Sequence, residues 1–171
     1  MTRDDHGSPA RTRDEEFCEP LRLIRKFFPE SKARVTDFEN LSVWDFLAAM
    51  EFVGLAVDFS YEPFGIPPGH RGDFAAKVDD RWNNEEVYRI VLEHTEFAPS
   101  GRVVILRGDR RASSNYIVCD SRAAASRLAE LDGRLLSAGD DWLFVYESGE
   151  AFVIDHDNRL YWARSRGRGR A

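Results

Sequence analysis

The chain has 171 residues, of which 43% are hydrophobic and 32% are charged, and its formal net charge at pH 7 is -6. This composition fits one soluble globular domain that is long enough to bury a core. No apolar run approaches the roughly 18 residues that a membrane-spanning helix needs. Residues 1–16 lack the apolar region of a secretory signal peptide, so we expect a cytoplasmic protein. Cys18 and Cys119 are too few for a disulfide framework and lack metal-ligand spacing.

The charge is unevenly distributed along the chain. Residues 36–99 hold thirteen acidic and four basic side chains, which gives a net charge of -9, whereas residues 100–171 hold ten acidic and twelve basic ones, a net +2. The acidic middle argues against nucleic-acid binding by the folded body, because that function needs a basic face. It suits a basic protein partner, since complementary charge speeds encounter. The alternative is a solvated surface that only keeps the protein soluble.

Charged, apolar-poor segments at both ends predict flexible tails over residues 1–16 and 164–171, on either side of a single domain over residues 17–163. The second tail alternates Arg with Gly, a pattern that occurs in disordered nucleic-acid binders. A solubilising end is the other interpretation of the same residues. The domain itself is therefore the part from which we expect an ordered structure.

Apolar residues recur at helical spacing over residues 20–28 and again over 43–53, which predicts two helices. Ser42 and Asp45 approximate a capping box for the second helix, and Gly54 is a C-terminal signal. The alternation of apolar and small or polar residues after this glycine is typical of a strand.

Residues 64–73, the Pro-Gly loop, contain two prolines and three glycines, and we predict no regular element in them. Long loops inside compact domains often carry function, although a plain connector is equally compatible with the pattern. A helix is predicted to begin at Asn83 or Asn84 and to run to Thr95. Its apolar residues recur at helical spacing, and acidic residues occupy its first turn, where the helix dipole favours them.

Strands are predicted at residues 102–107 and 116–119, and a helix rich in alanine and leucine at 121–131. Residues 142–162 then contain three apolar runs, separated by Ser148-Gly149 and by a polar turn, which predicts a three-stranded antiparallel meander. Because hairpins dominate this order, the expected fold is α+β. We predict a mainly antiparallel sheet that ends in the C-terminal meander, with helices packed on one side.

Few residues point to catalysis. Asp155, His156 and Asp157 could bind a metal or act as acid and base, but adjacent strand residues project differently and these residue types are ordinary turn formers. Cys119 lies in an apolar run, which raises a thiol pKa rather than activating it. Phosphate-binding and nucleophile-elbow motifs are absent from the sequence. We therefore predict no catalytic residue, no metal and no cofactor, with His70 and a nearby carboxylate as the alternative.

The segment Trp142–Trp162 has the pattern W-x-x-x-Y…G…F-V-I-D…R-L-Y-W. It resembles the C-terminal hairpins of bacterial polymorphic-toxin immunity proteins, including those of contact-dependent growth inhibition. The resemblance covers the last third of the chain and carries over no binding residue. It implies a protein that binds one toxin domain, often a nuclease with a basic active-site cleft, and blocks it. The hypothesis is thus an immunity-type inhibitor; the alternatives are a small enzyme with a pocket near the Pro-Gly loop and an adaptor subunit of a larger assembly.

The predicted partner-binding residues lie in and beside the segment that precedes the helix of residues 84–95. They are Asp79, Asp80, Trp82, Glu85 and Glu86. An aromatic anchor ringed by charge is how interfaces concentrate binding energy, and the carboxylates would mimic the polyanionic substrate of the toxin. The alternative is that the indole ring merely covers the core. The sequence specifies neither the partner nor the oligomeric state.

Overall fold

The computed structural model of this protein describes residues 18–29, 49–50, 53–55, 71–73, 81–108, 116–131, 136 and 140–165. Three α-helices have their full bounds described: α1 (Cys18–Phe27), α2 (Asn84–Thr95) and α3 (Ala124–Ala129), the last preceded by a 3-10 turn over Ser121–Ala123. Ala49 and Met50 are also α-helical, inside the helix predicted over residues 43–53. The strands are β1 (Arg71–Asp73), β2 (Arg102–Arg107), β3 (Tyr116–Asp120), β4 (Trp142–Tyr146), β5 (Glu150–Ile154) and β6 (Arg159–Arg164). None of the described helices is long and apolar enough to cross a membrane.

The six described strands form one antiparallel sheet in the order β1-β6-β5-β4-β2-β3. Strands β4, β5 and β6 are the predicted meander. The β4–β5 turn places Gly149 at φ +88°, a backbone conformation that residues with a side chain rarely adopt. The β5–β6 turn places Asn158 at φ +57°. Glycine and asparagine are the residues that tolerate such angles, so local turn chemistry fixes both hairpins. The prediction of an α+β fold with a C-terminal meander is confirmed.

Helices lie against both faces of the sheet, which corrects the prediction that they pack on one side. The side chains of α1 pack on the face that includes Val104, Val145 and Val153. Those of α2 and α3 pack on the opposite face, with Ile105 and Phe144. The physical reason is that the residues of β4 and β5 are buried on both faces, so each face needs its own apolar cover.

The face under α2 is the more aromatic of the two. Phe144 and Phe152 stack with ring centroids 4.4 Å apart, and Tyr88 of α2 tilts over Phe144 at 5.4 Å. The hydroxyl groups of Tyr88 and Tyr146 form a hydrogen bond of 2.6 Å inside the core. Burial raises the pKa of Tyr88 to about 12, so this pair stays neutral at any physiological pH. These contacts fix α2 on the sheet through its apolar side.

The Pro-Gly loop was predicted to contain no regular element, and this is wrong for its last three residues. Arg71 to Asp73 form β1, which pairs with β6 in the register Arg71↔Tyr161 and Asp73↔Arg159. The pairing surface comes from β6, which is distant in sequence, so no local pattern in the loop indicates it. Residues 64–70 lie outside the described part of the chain.

The predicted element ends also change in detail. Arg164, which was assigned to the basic tail, is the last residue of β6 and lies opposite Glu150, with a side-chain N···O distance of 3.6 Å. Gly54 has a φ of +77°, as expected of a helix C-terminal signal. The predicted tail over residues 1–16, residues 166–171 of the other tail and the predicted strand after Leu55 lie outside the described residues.

Candidate protein-binding surface

The N-terminus of α2 is held by a reciprocal capping box. The side-chain Oδ1 of Asn83 accepts a hydrogen bond of 3.0 Å from the backbone N–H of Glu86, and Oε2 of Glu86 accepts one of 2.7 Å from the backbone N–H of Asn83. Two backbone donors of the first turn are thereby satisfied. Glu86 remains exposed, so its carboxylate orders the helix start and still presents negative charge to solvent.

Glu85, one turn before Arg89, forms an ion pair with it along the helix surface. This contact balances the charge of Glu85 locally. Glu85 therefore contributes less to the field around α2 than the sequence prediction assumed. Pairs of this spacing on exposed helix surfaces stabilise the helix by only about 0.2–0.5 kcal/mol.

Three exposed carboxylates follow the outer side of α2 from its first turn to its end. Glu86, Glu93 and Glu96 form this set, which we name the acidic ridge. No described residue forms an ion pair with Glu93 or Glu96 within 4 Å. The ridge therefore projects negative charge that the described part of the molecule does not neutralise. Glu93 and Glu96 were missed by the sequence prediction.

The last two members of the ridge occupy positions that disfavour them. Glu93 lies in the last turn of α2, where the helix dipole is negative and repels a carboxylate. Glu96 is the C-cap and adopts the left-handed conformation, with φ 55° and ψ 28°, at a place where glycine is the common residue. A signal for these residues does exist in the sequence, namely two acids at the end of a helix where basic residues are usual.

Trp82 lies immediately before the capping box of α2. Its ring is half-buried and packs against the core under α2, so the interpretation as a core-covering residue holds for part of the side chain. The remaining part is accessible beside Asn83. The structure thus places Trp82, Glu85 and Glu86 together at the start of α2. Asp79 and Asp80 lie outside the described residues.

The Asp155-His156-Asp157 segment forms the β5–β6 turn, as its residue types predict. Oδ1 of Asp155 accepts hydrogen bonds from the backbone N–H groups of Asp157, at 3.0 Å, and Arg159, at 2.7 Å. Burial raises the pKa of Asp155, and hydrogen bonds to its charged form, chiefly from the backbone of Arg159, oppose that effect. The carboxylate thus serves the turn, and no group of three or more potential ligands suited to a metal occurs in the described residues.

His156 provides a pH-dependent contact at the same turn. Its Nδ1 lies 3.0 Å from Oδ1 of Asp141, and this hydrogen bond raises the pKa of His156 above its ordinary value of 6.5. A raised histidine pKa adds stability that is complete below pH 6.5 and is lost as the pH rises through the folded value. Because His156 is largely exposed, we expect a loss of less than about 1 kcal/mol.

Urea unfolding between about pH 5.5 and 8.5 measures this effect directly. The wild type should lose a small part of its free energy of unfolding as the pH rises. Asp141→Asn keeps an acceptor for the backbone N–H of His156 but removes the charge, so its profile should be flatter. Parallel profiles for the two proteins would show that the ion pair contributes nothing.

The remaining candidates for chemistry gain no support from the geometry. Cys119 is half-buried in β3, and burial raises the pKa of its thiol, which lowers its reactivity at neutral pH. His70, on which the enzyme alternative depends, lies outside the described residues.

No protein-family model matches the chain, and neither a curated protein nor a solved structure is significantly similar to it.

Proposed function

We propose that this protein is an immunity-type inhibitor that binds a basic toxin domain, such as a nuclease, through the acidic ridge of α2. The single observation that carries the proposal is the pair Glu93 and Glu96, two exposed carboxylates that the described residues leave without a counter-ion. Glu86 and the exposed part of Trp82 extend this surface at the start of the helix. Asp79 and Asp80, which precede it in the sequence, add two further acids to the proposed interface.

Glu93 and Glu96 occupy positions that lower the stability of the fold, which favours a binding role over a merely solvated surface. A surface that only maintains solubility can place its acids anywhere, and the start of a helix would stabilise the fold as well. Glu93 and Glu96 instead lie where the dipole and, for Glu96, the backbone conformation oppose them. Residues that reduce stability at exposed positions are typical of functional surfaces, because activity and stability are often in conflict there.

The rigidity of α2 also favours this role. Its inner side is tied to the sheet by the Tyr88–Tyr146 hydrogen bond, and its N-terminus by the capping box of Asn83. A pre-organised helix loses little conformational entropy on binding, so more of the electrostatic attraction appears as affinity. A protein of this kind would meet its toxin in the cytoplasm and would need no catalytic group or cofactor of its own.

Glu96→Gly separates the two roles of the residue. Glycine adopts the left-handed C-cap without strain and removes a carboxylate from the negative end of the dipole, so the variant should be more stable by about 0.5–1 kcal/mol. The same change should weaken inhibition of the toxin. Thermal or urea unfolding measures the first effect. A variant that is more stable and also fully inhibitory would show that Glu96 has no binding role.

Growth rescue tests the proposed function in cells. The chain is co-expressed with the toxin domain encoded by the neighbouring reading frame, and the wild type should restore growth. Glu93→Lys combined with Glu96→Lys reverses the ridge and places cations where the dipole favours them, so this variant should fold well and fail to protect. Asp157→Lys, at an exposed acid of the β5–β6 turn, is the control. Equal protection by ridge and control variants would contradict the proposed surface.

A further inference from the structure

β3 is the terminal strand on one side of the sheet, and among the described residues only β2 pairs with it. The direction of the backbone N–H and C=O groups can be assigned for each residue of β3. The backbone N–H of Ser121 donates 2.8 Å to the carbonyl of Gly101, so residue 121 faces β2. Because backbone groups alternate along an antiparallel strand, Ile117 and Cys119 also face β2. The N–H and C=O groups of Tyr116, Val118 and Asp120 therefore point away from the sheet.

The neighbouring strands follow the same alternation, which supports the assignment. The carbonyl of Arg102 accepts from the backbone N–H of Glu147 at 2.8 Å, and the N–H of Gly108 donates to the carbonyl of Asp141 at 2.8 Å. Even-numbered residues of β2 therefore face β4, and odd-numbered ones face β3. The outward groups of β3 follow from this register.

The two ends of the sheet differ in how they are protected against strand addition. β1 has three residues, with Arg71 and Asp73 at its ends, and short charged edges resist pairing. β3 has five, and the four from Tyr116 to Cys119 are uncharged, half-buried and free of proline. Natural edge strands of this length usually carry a lysine, a proline or a bulge. The one charge on β3, Asp120, lies at the end of the strand and is paired with Arg122, and the strand contains no lysine, proline or bulge. β3 is therefore the end of the sheet that is better suited to strand pairing.

We infer that β3 pairs antiparallel with β3 of a second copy of this chain, giving a twofold dimer with a continuous sheet. The outward-pointing residues select the register. With Val118 on the axis, Val118 pairs with its own counterpart, and Tyr116 of each copy pairs with Asp120 of the other. All three outward residues of both strands then exchange N–H···O bonds. An axis at Tyr116 or Asp120 would leave some of them unpaired, so the strand matches itself best about its centre.

Side chains and charge agree with this self-pairing. Ile117 of one copy lies opposite Cys119 of the other, which joins the half-buried apolar side chains on the α2 side of the two sheets. Asp120, the one charge on the strand, faces a tyrosine rather than another acid and is already paired with Arg122 at 3.0 Å. The net charge of -6 therefore opposes association only at longer range, where salt screens it. The surface lies on a different element from the acidic ridge, so the dimer does not depend on the proposed function.

Sedimentation equilibrium over a wide concentration range tests the dimer. The wild type should show twice the chain mass of 19.6 kDa. In Val118→Pro the lost N–H points outward, so the bonds to β2 survive and the protein should fold but remain at the monomer mass. Circular dichroism checks that the variant keeps its strand content. A wild type that stays monomeric throughout would overturn the inference, and so would a folded Val118→Pro protein that still dimerises.

Disulfide trapping tests the register. The background chain carries Cys18→Ser, so that Cys119 is its only cysteine. Adding Ile117→Cys places a second thiol opposite Cys119 of the other copy. The two residues form a non-hydrogen-bonded pair, and its Cα separation of about 4.5 Å suits a disulfide. Mild oxidation should give a covalent dimer on a non-reducing gel. Tyr116→Cys in the same background faces Asp120 and should cross-link far less. Equal cross-linking of the two variants would rule out the Val118-centred register.

Discussion

Phe152→Ala is expected to lower the free energy of unfolding by about 3–5 kcal/mol, the largest loss that we expect from a single truncation in this chain. The side chain is fully buried in β5 and stacks on Phe144 with centroids 4.4 Å apart. Its ring also lies 6.2 Å from Tyr88 of α2 and 6.0 Å from Tyr146 of β4. Removing it leaves a cavity under α2 that three aromatic rings line, and such rings collapse poorly into the space.

Val153→Ala is the matched comparison for this prediction. Val153 is the next residue, is equally buried and points to the opposite face under α1, but it loses far less volume. Urea unfolding with both slope and midpoint gives the two free energies. Phe152→Ala should be clearly the more destabilising change. A loss below about 1 kcal/mol for Phe152→Ala would mean that the aromatic face does not hold α2 on the sheet.

Asn84→Ala is expected to lower the free energy of unfolding by about 1–3 kcal/mol, because the buried N–H of Leu136 loses its partner. The carbonyl of Leu128 loses one of its two donors and keeps the N–H of Leu131 at 3.2 Å. Nδ2 of Asn84 donates to the carbonyl of Leu128 at 3.2 Å, and its Oδ1 accepts from the N–H of Leu136 at 3.2 Å. Asn84 itself is only 3% exposed. One amide thus connects the start of α2 to the end of α3 and to the segment beyond it.

Asn84→Asp identifies which half of this bridge matters. The carboxylate can still accept from Leu136, but when ionised it cannot donate to the carbonyl of Leu128 and repels it. Its folded pKa should be raised, so the variant should regain stability as the pH falls through that value. Unfolding at several pH values measures this recovery. If Asn84→Ala leaves stability unchanged, the bridge does not position α2 and the acidic ridge has lost one of its supports.

Local patterns account for the part of the fold that could be predicted. Gly149 and the polar turn ending at Asn158 supply the positive φ angles of the two hairpins, so the meander follows from residues a few positions apart. The two-sided burial of β4 also had a signal, since Leu143 and Val145 alternate with larger aromatic residues. The strand β1 had none, because three residues of a loop become a strand only through β6, almost ninety positions later.

The residues of the candidate site could likewise be predicted only in part. Glu85 and Glu86 could be predicted because the start of a helix is where acids and capping boxes are expected. The sequence could not show that Arg89 would balance Glu85, since this depends on side-chain conformation. The left-handed conformation of Glu96 was likewise hidden, because the usual glycine signal is missing there.

Isothermal titration against the C-terminal domain of the protein encoded by the neighbouring reading frame, the proposed toxin, at low and at physiological salt tests the proposed function most directly. The wild type should bind more weakly as salt increases, because salt screens the attraction between the acidic ridge and a basic partner. Glu93→Lys with Glu96→Lys should weaken binding by about 10–100-fold and reduce its dependence on salt, while Asp157→Lys should change neither. Wild-type affinity and an unchanged salt dependence in the ridge variant would contradict the account.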